Sequence, residues 1–323
     1  METQKLTFFG RALRKTNHLY YKFRYLWPVW YWVLNRKARV RFKKNKRELG
    51  DLEKRVSEDL KNNGIATLHI SELLGEDIFP ALKDLAEAKW NSPEVQNNIL
   101  PERERALKSG EIGREKFFWV WLGGMPGDAP PQVLNFEDPF IKLSLDEKIL
   151  QVVSSYLGLS PKFLSYGLQS TLVMPPGSIP KLSQRWHRDP DDKKMCKVFL
   201  YLTDVLDEGA GPFMYVAGSH YGGKWRNIFP QIPPVGSYPK DGEVEKIIRK
   251  DDVKICLGRA GTLIFCDTSG LHKGGFSTLT RRIMFTADFT SLAHTSTQER
   301  RYLKPNPEDT KNLSELAKFA TTN

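Results

Sequence analysis

The feature that most constrains this chain lies after Pro161. Residues 163–173, 195–203, 213–216, 253–257, 262–266 and 282–289 form six segments rich in β-branched and aromatic side chains, separated by Gly, Pro and Asp. Such runs read as strands. Few helical periods intervene, so an antiparallel barrel or double-sheet jelly roll is expected.

The first half reads differently. Leu49, Leu52, Val56 and Leu60 recur at helical spacing, and Asn62-Asn63-Gly64 ends that helix. Residues 65–70 read as a short strand. Ile78, Leu82, Leu85 and Ala86 predict a second helix, residues 91–115 an irregular loop, and residues 117–122 a strand. Ser144 and Glu147 have capping-box spacing ahead of Ile149, Val152, Val153 and Tyr156, with Gly158 as the stop. The expectation is an α+β chain: a cupin-like jelly-roll core at about residues 160–292, with flanking N-terminal helices.

Charge divides the chain again. The whole carries +11, yet residues 1–50 hold fourteen Lys and Arg against Glu2 and Glu48, leaving about −1 for the rest. Residues 1–47 therefore form a cationic arm ahead of a near-neutral body, 48–323. The arm is also aromatic: Tyr20, Tyr21, Phe23, Tyr25, Trp27, Trp30, Tyr31 and Trp32. Its longest uncharged run, 25–35, is far short of the ~20 apolar residues that span a bilayer. No small-residue cleavage site follows, as a secretory signal would need. Rings flanked by cations suit an anionic membrane surface. They equally suit a helix whose aromatics pack on the body. Nucleic acid fits less well, because the basic excess stops at residue 50. Three widely spaced cysteines, Cys196, Cys256 and Cys266, make no disulfide framework, and a reducing, cytoplasmic setting is expected.

The chemistry-bearing segment is Gln184-Arg185-Trp186-His187-Arg188-Asp189-Pro190. In an extended chain, residues two apart face the same way, so His187 and Asp189 can offer an imidazole and a carboxylate to one ion. Two His and one carboxylate leave open positions that suit Fe(II). With six His and eighteen Asp, chance gives about one third of an H-x-D per chain, so the pair alone decides nothing. A second histidine, His272, follows the strand-like 262–266 and precedes Gly274-Gly275. Arg281 and Arg282 then open the last strand, where an Arg can hold a carboxylate bidentately.

The stretch Gln184–Asp189, the later Gly211-Pro212-Phe213-Met214-Tyr215-Val216-Ala217-Gly218-Ser219-His220, the segment around His272, and Arg282 together resemble the phytanoyl-CoA dioxygenase family, over most of residues 60–290. The resemblance implies a double-stranded β-helix with Fe(II), 2-oxoglutarate and O2. It implies His187, Asp189 and His272 as the metal ligands, and Arg282 as the clamp on the distal carboxylate of 2-oxoglutarate. The interval after His272 is slightly short for the family and leaves Arg281 as the alternative. Gln169 and Thr171 share the face from which the family often reaches the co-substrate. His220 is expected to be structural. Trp186 is expected beside the metal or in the core, and 221–252 at the pocket rim. The implied activity is hydroxylation of a small-molecule or lipid-linked substrate. A carboxylate at 189 opposes halogenation, which needs a small residue there. A cupin-like isomerase, a zinc hydrolase or a non-catalytic jelly-roll binding protein are the competing classes. Neither of the first two needs a dicarboxylate clamp, and the intact triad argues against the third.

Overall fold

The computed structural model describes residues 19–108, 118–125, 132–233, 236–295, 302 and 305–322. Residues 1–18 of the arm, Phe117 and 109–115 of the expected loop lie outside the described residues.

Nine strands are described: β1 (Ile65–His69), β2 (Trp119–Gly124), β3 (Lys162–Thr171), β4 (Cys196–Tyr201), β5 (Phe213–Val216), β6 (Val253–Cys256), β7 (Thr262–Cys266), β8 (His272–Lys273) and β9 (Ile283–Thr290). The larger sheet runs β1-β7-β4-β9-β3-β2 and the smaller β6-β5-β8, with every pairing antiparallel. His187 bridges antiparallel to His272 and so adds a fourth line to the smaller sheet. Without β1 and β2, which extend its edges, the larger sheet also has four lines. Two four-line antiparallel sheets in this order make a double-stranded β-helix.

The inner strands of the larger sheet, β3, β4, β7 and β9, are buried on both faces, which is why they read as near-continuous apolar runs. On β9, Ile283, Phe285, Ala287 and Phe289 join the large outer core with Val56 and Leu60 of the Asp51–Asn63 helix and Val152 and Val153 of the Glu147–Leu157 helix. The alternate residues Met284, Thr286 and Asp288 face a cavity. Between the sheets lies a smaller core that includes Phe199, Tyr201, Phe213, Tyr215 and Ile264. Gly64 ends the Asp51–Asn63 helix at φ +80, and a Cβ there would lie 2.4 Å from Tyr215 Oη. Both facts require glycine.

Three local expectations need correction. Residues 91–115 are not simply a loop: Glu94–Ile99 is a π-helix and Leu100–Lys108 an α-helix. Ser144 does not cap the Glu147–Leu157 helix. It ends the preceding Pro139–Ser144 helix and donates to Phe140 O, while Asp146 accepts from Lys148 N and Ile149 N as the cap. Strand β9 begins at Ile283, so Arg282 stands just before it.

The arm is docked from Tyr25 onward. It forms a π-helix, Pro28–Leu34, and an α-helix, Arg36–Asn45. Trp30 is fully buried and donates from Nε1 to Asp192 Oδ1 at 2.6 Å. Asn35 Nδ2 donates to Ser291 Oγ at 3.0 Å, and Asn35 Oδ1 accepts from Leu292 N at 2.9 Å. Tyr25 Oη donates to Pro190 O at 3.2 Å. The arm thus braces the chain just beyond Asp189. Trp27 stacks on Tyr31 and Tyr221, whereas Trp32 stays exposed under Arg39.

Candidate metal centre

The segment through His187 is extended, and the alternation follows. His187 and Asp189 face the cavity. Arg188, between them, is buried on the far side, where its guanidinium donates to five carbonyls: Phe229, Ser219, Ser269, Trp225 and Ile228. All five of its N–H donors are satisfied, so Arg188 fixes the backbone that carries the two neighbouring side chains.

His187 and His272 exchange both backbone hydrogen bonds at 2.9 Å, and their ring centroids lie 4.1 Å apart. One ligand atom from each of His187, Asp189 and His272 lies within 4.8 Å of the others. Nδ1 of His187 donates to Arg185 O at 2.8 Å and Nδ1 of His272 to Gly270 O at 3.0 Å, because a carbonyl can only accept. That fixes the tautomers and leaves each Nε2 lone pair facing Asp189, at 3.7 Å in both cases. Metal-binding imidazoles are held in this way. Burial, then the neighbouring His187, depresses His272 to about 3, and burial lowers His187. Both shifts favour the neutral rings, the form that could bind a metal. Burial would raise the Asp189 carboxyl, but the Lys197 ammonium beside it more than offsets that and holds the group below its ordinary value.

The cavity is about 310 Å³, and strand register orders its wall in rungs. Ser165, Asp288 and Lys197 lie side by side on β3, β9 and β4; Gly167, Thr286 and Phe199 form the next rung, then Gln169, Met284 and Tyr201. Arg282 follows at the far end. It is buried, donates from Nη1 to Gly211 O at 2.6 Å and lies near the Tyr201 ring, but its Nε has no hydrogen-bond partner. No carboxylate pairs with it among the described residues. Gly275, at φ +85, passes beside it; a Cβ there would sit 3.4 Å from Arg282 Nη2.

The two arginines separate cleanly. Arg282 lines the cavity, whereas Arg281 donates to Glu87 Oε2 at 2.9 Å and lies over Trp90 outside it. Gln169 lines the cavity. Thr171 is not among the lining residues. Its Oγ1 accepts from Arg282 N at 2.8 Å and meets Ser277 Oγ at 2.7 Å, so it positions the arginine's backbone. His220 donates from Nε2 to Lys61 O at 3.0 Å, away from the cavity. Trp186 packs with Val216, Val244, Ile248 and Leu271. From the 221–252 segment, Tyr238 stacks on His187 at 5.4 Å.

Sequence reasoning missed Lys197 and Asp288. Lys197 Nζ lies 3.0 Å from Asp189 Oδ2 and 3.5 Å from Asp288 Oδ1. The only signal was a charged residue amid each apolar strand at the inward phase of the alternation.

No family model matches this chain, and no curated protein does. Solved structures do. EctD from S. alaskensis with bound Fe is 14% identical at a TM-score of 0.49, over 79% of this chain and 83% of that one. The epimerase SnoN, in complex with Fe3+, alpha ketoglutarate and nogalamycin RO, is 17% identical at 0.45, over 74% and 84%. HygX from Streptomyces hygroscopicus, with nickel and 2-oxoglutarate bound, is 13% identical at 0.42, over 83% and 96%. The double-stranded β-helix is established by this chain's own strand pairing. Among the described residues no helix is long and apolar enough to cross a membrane.

Proposed function

We propose that this chain is a non-haem Fe(II)- and 2-oxoglutarate-dependent dioxygenase that hydroxylates a small-molecule or lipid-linked substrate, as its resemblance to phytanoyl-CoA dioxygenases implies. One observation carries the proposal: a buried guanidinium without a carboxylate partner among the described residues shares a cavity with two imidazoles and a carboxylate close enough to hold one metal ion. A zinc hydrolase or a cupin-like isomerase has no use for that arginine. A dicarboxylate such as 2-oxoglutarate does, since its distal carboxylate would satisfy Arg282.

His187, Asp189 and His272 would hold the metal, with Arg282 the co-substrate. When bound, the iron supplies oxidative decarboxylation: 2-oxoglutarate, O2 and R–H give succinate, CO2 and R–OH. The residues of the chain orient and exclude water. Thr171 and Gly211 hold Arg282, and the carbonyls of Arg185 and Gly270 hold the rings.

The wall also bears on the substrate. Trp121 Nε1 and Thr286 Oγ1 line the cavity and lack hydrogen-bond partners. Buried polar atoms of this kind favour a substrate group that donates and accepts hydrogen bonds over a bare hydrocarbon. Single-turnover reaction under labelled O2 tests the proposal. One oxygen atom should enter succinate and the other the product, and an unlabelled product would refute hydroxylation.

A further inference from the structure

The arm offers a surface that the oxygenase chemistry does not use. Residues 19–47 contain ten Lys and Arg and no acid. Residues 19–24 are helical, and Leu19, Phe23 and Leu26 recur there at helical spacing, all more than half exposed; Val33, one heptad past Leu26, is also exposed. Along the Arg36–Asn45 helix the exposed positions are Arg36, Lys37, Val40, Lys43 and Lys44, which share one face, while Ala38 is buried against the body. Lys22, Arg36, Lys37, Lys43, Lys44 and Lys46 make no ion pair among the described residues. An exposed apolar ridge and an exposed cationic face therefore lie on either side, in sequence, of the buried Trp30 and Asn35 anchors.

Beside the ridge lies a cleft of about 300 Å³ between the arm and the loop after Ser219. Lys22 from the arm and Lys193 and Arg226 from the body line it with the hydroxyl-bearing Tyr21, Tyr25 and Tyr221, and no acidic side chain is among its lining residues. Burial draws Lys193 down to about 8 despite the neighbouring Asp192.

We propose that this face docks on an anionic phospholipid bilayer, with Leu19, Phe23 and Leu26 entering the interface and the cleft of Lys22, Lys193 and Arg226 seating a headgroup phosphate. Two features favour a bilayer over other occupants. A single-stranded nucleic acid stacks on a run of free aromatic faces, but Trp27, Trp30 and Tyr31 are stacked on one another, Trp27 also on Tyr221, and Arg39 lies over the exposed Trp32. A second copy would bring like charges face to face across an isologous contact. An amphipathic, basic surface of this kind gains from both apolar burial and anionic lipid.

Flotation of the full-length protein with phosphatidylcholine vesicles, with and without phosphatidylserine, tests this. Binding should require phosphatidylserine at low salt and weaken as salt rises. Phe23→Ser/Leu26→Ser should lower partitioning by about tenfold or more. Lys43→Glu/Lys44→Glu should abolish the phosphatidylserine dependence, and Lys193→Ala/Arg226→Ala should weaken it. Each variant should keep the wild-type melting temperature, and His187→Ala should float as wild type, which separates docking from iron chemistry. No flotation at low salt would overturn the proposal. So would undiminished flotation of the Phe23/Leu26 and Lys43/Lys44 variants, tighter binding of a single-stranded oligonucleotide, or a dimer that the Phe23/Leu26 variant dissolves.

Discussion

Lys197 Nζ stands 3.0 Å from Asp189 Oδ2, so the carboxylate proposed to hold iron has a protein cation beside it. Lys197 also reaches Asp288, which lies on the neighbouring strand. It therefore keeps two buried carboxylates from facing each other uncompensated.

Lys197→Met should then destabilise the metal-free protein by on the order of 3–5 kcal/mol, the cost of breaking a buried ion pair from one side. That corresponds to a melting temperature lower by about 5 °C or more. A divalent ion should restore most of the loss, because it neutralises Asp189 in place of the ammonium. Differential scanning calorimetry with and without Mn(II), which does not turn over, reads both effects. A variant as stable as wild type without metal would contradict the role given to Lys197.

The two adjacent arginines should behave differently. Arg282→Ala removes charge-assisted hydrogen bonds of about 1.5–3 kcal/mol each, so the 2-oxoglutarate requirement should rise about ten- to a hundredfold while iron still binds. Arg281→Ala loses a half-exposed pair with Glu87 and should change it by less than about threefold. Titration of 2-oxoglutarate into both variants under anaerobic Fe(II) separates them, and a larger effect at Arg281 would reverse the assignment.

Asp192 links the arm to the core and carries a pH signature. Burial raises its carboxyl to about 6, although it accepts hydrogen bonds from Trp30, Ser291 and Lys193. A folded-state value above the unfolded one means that the native state binds the extra proton between about pH 4 and 6. The stability due to Asp192 is thus fully present at the acid end and lost as pH rises through about 6. Asp192→Asn removes that slope, so the difference in melting temperature between wild type and variant should change across this window and be flat above it. A difference constant from pH 4 to 7 would show that Asp192 does not titrate there.

What the sequence made legible, and what it hid, has a physical pattern. His187 and Asp189 were found because period-two alternation is a local property, and His272 because a turn and two glycines flank it. The strands were found because burial on both faces leaves few polar interruptions. Lys197 and Asp288 were hidden because a charge on a strand ordinarily means a solvated face, and only the register of β4 against β9 shows them meeting inside. The helices between Glu94 and Lys108 were hidden because the π-turn breaks the 3.6-residue period and few of their side chains are buried. Trp30 could be read as membrane-facing or core-facing with equal right, since the partner that decides, Asp192, is 162 residues away.

The most direct test of the central claim is consumption of 2-oxoglutarate by the purified protein. Wild type reconstituted anaerobically with Fe(II) should develop the metal-to-ligand charge-transfer absorption of a bound 2-oxo acid, and on admission of O2 it should release succinate slowly even without substrate. His187→Ala, His272→Ala and Asp189→Ala should lose both signals. Succinate release that survives in any of the three, or a wild-type protein that binds iron yet neither shows the band nor forms succinate, would contradict the account.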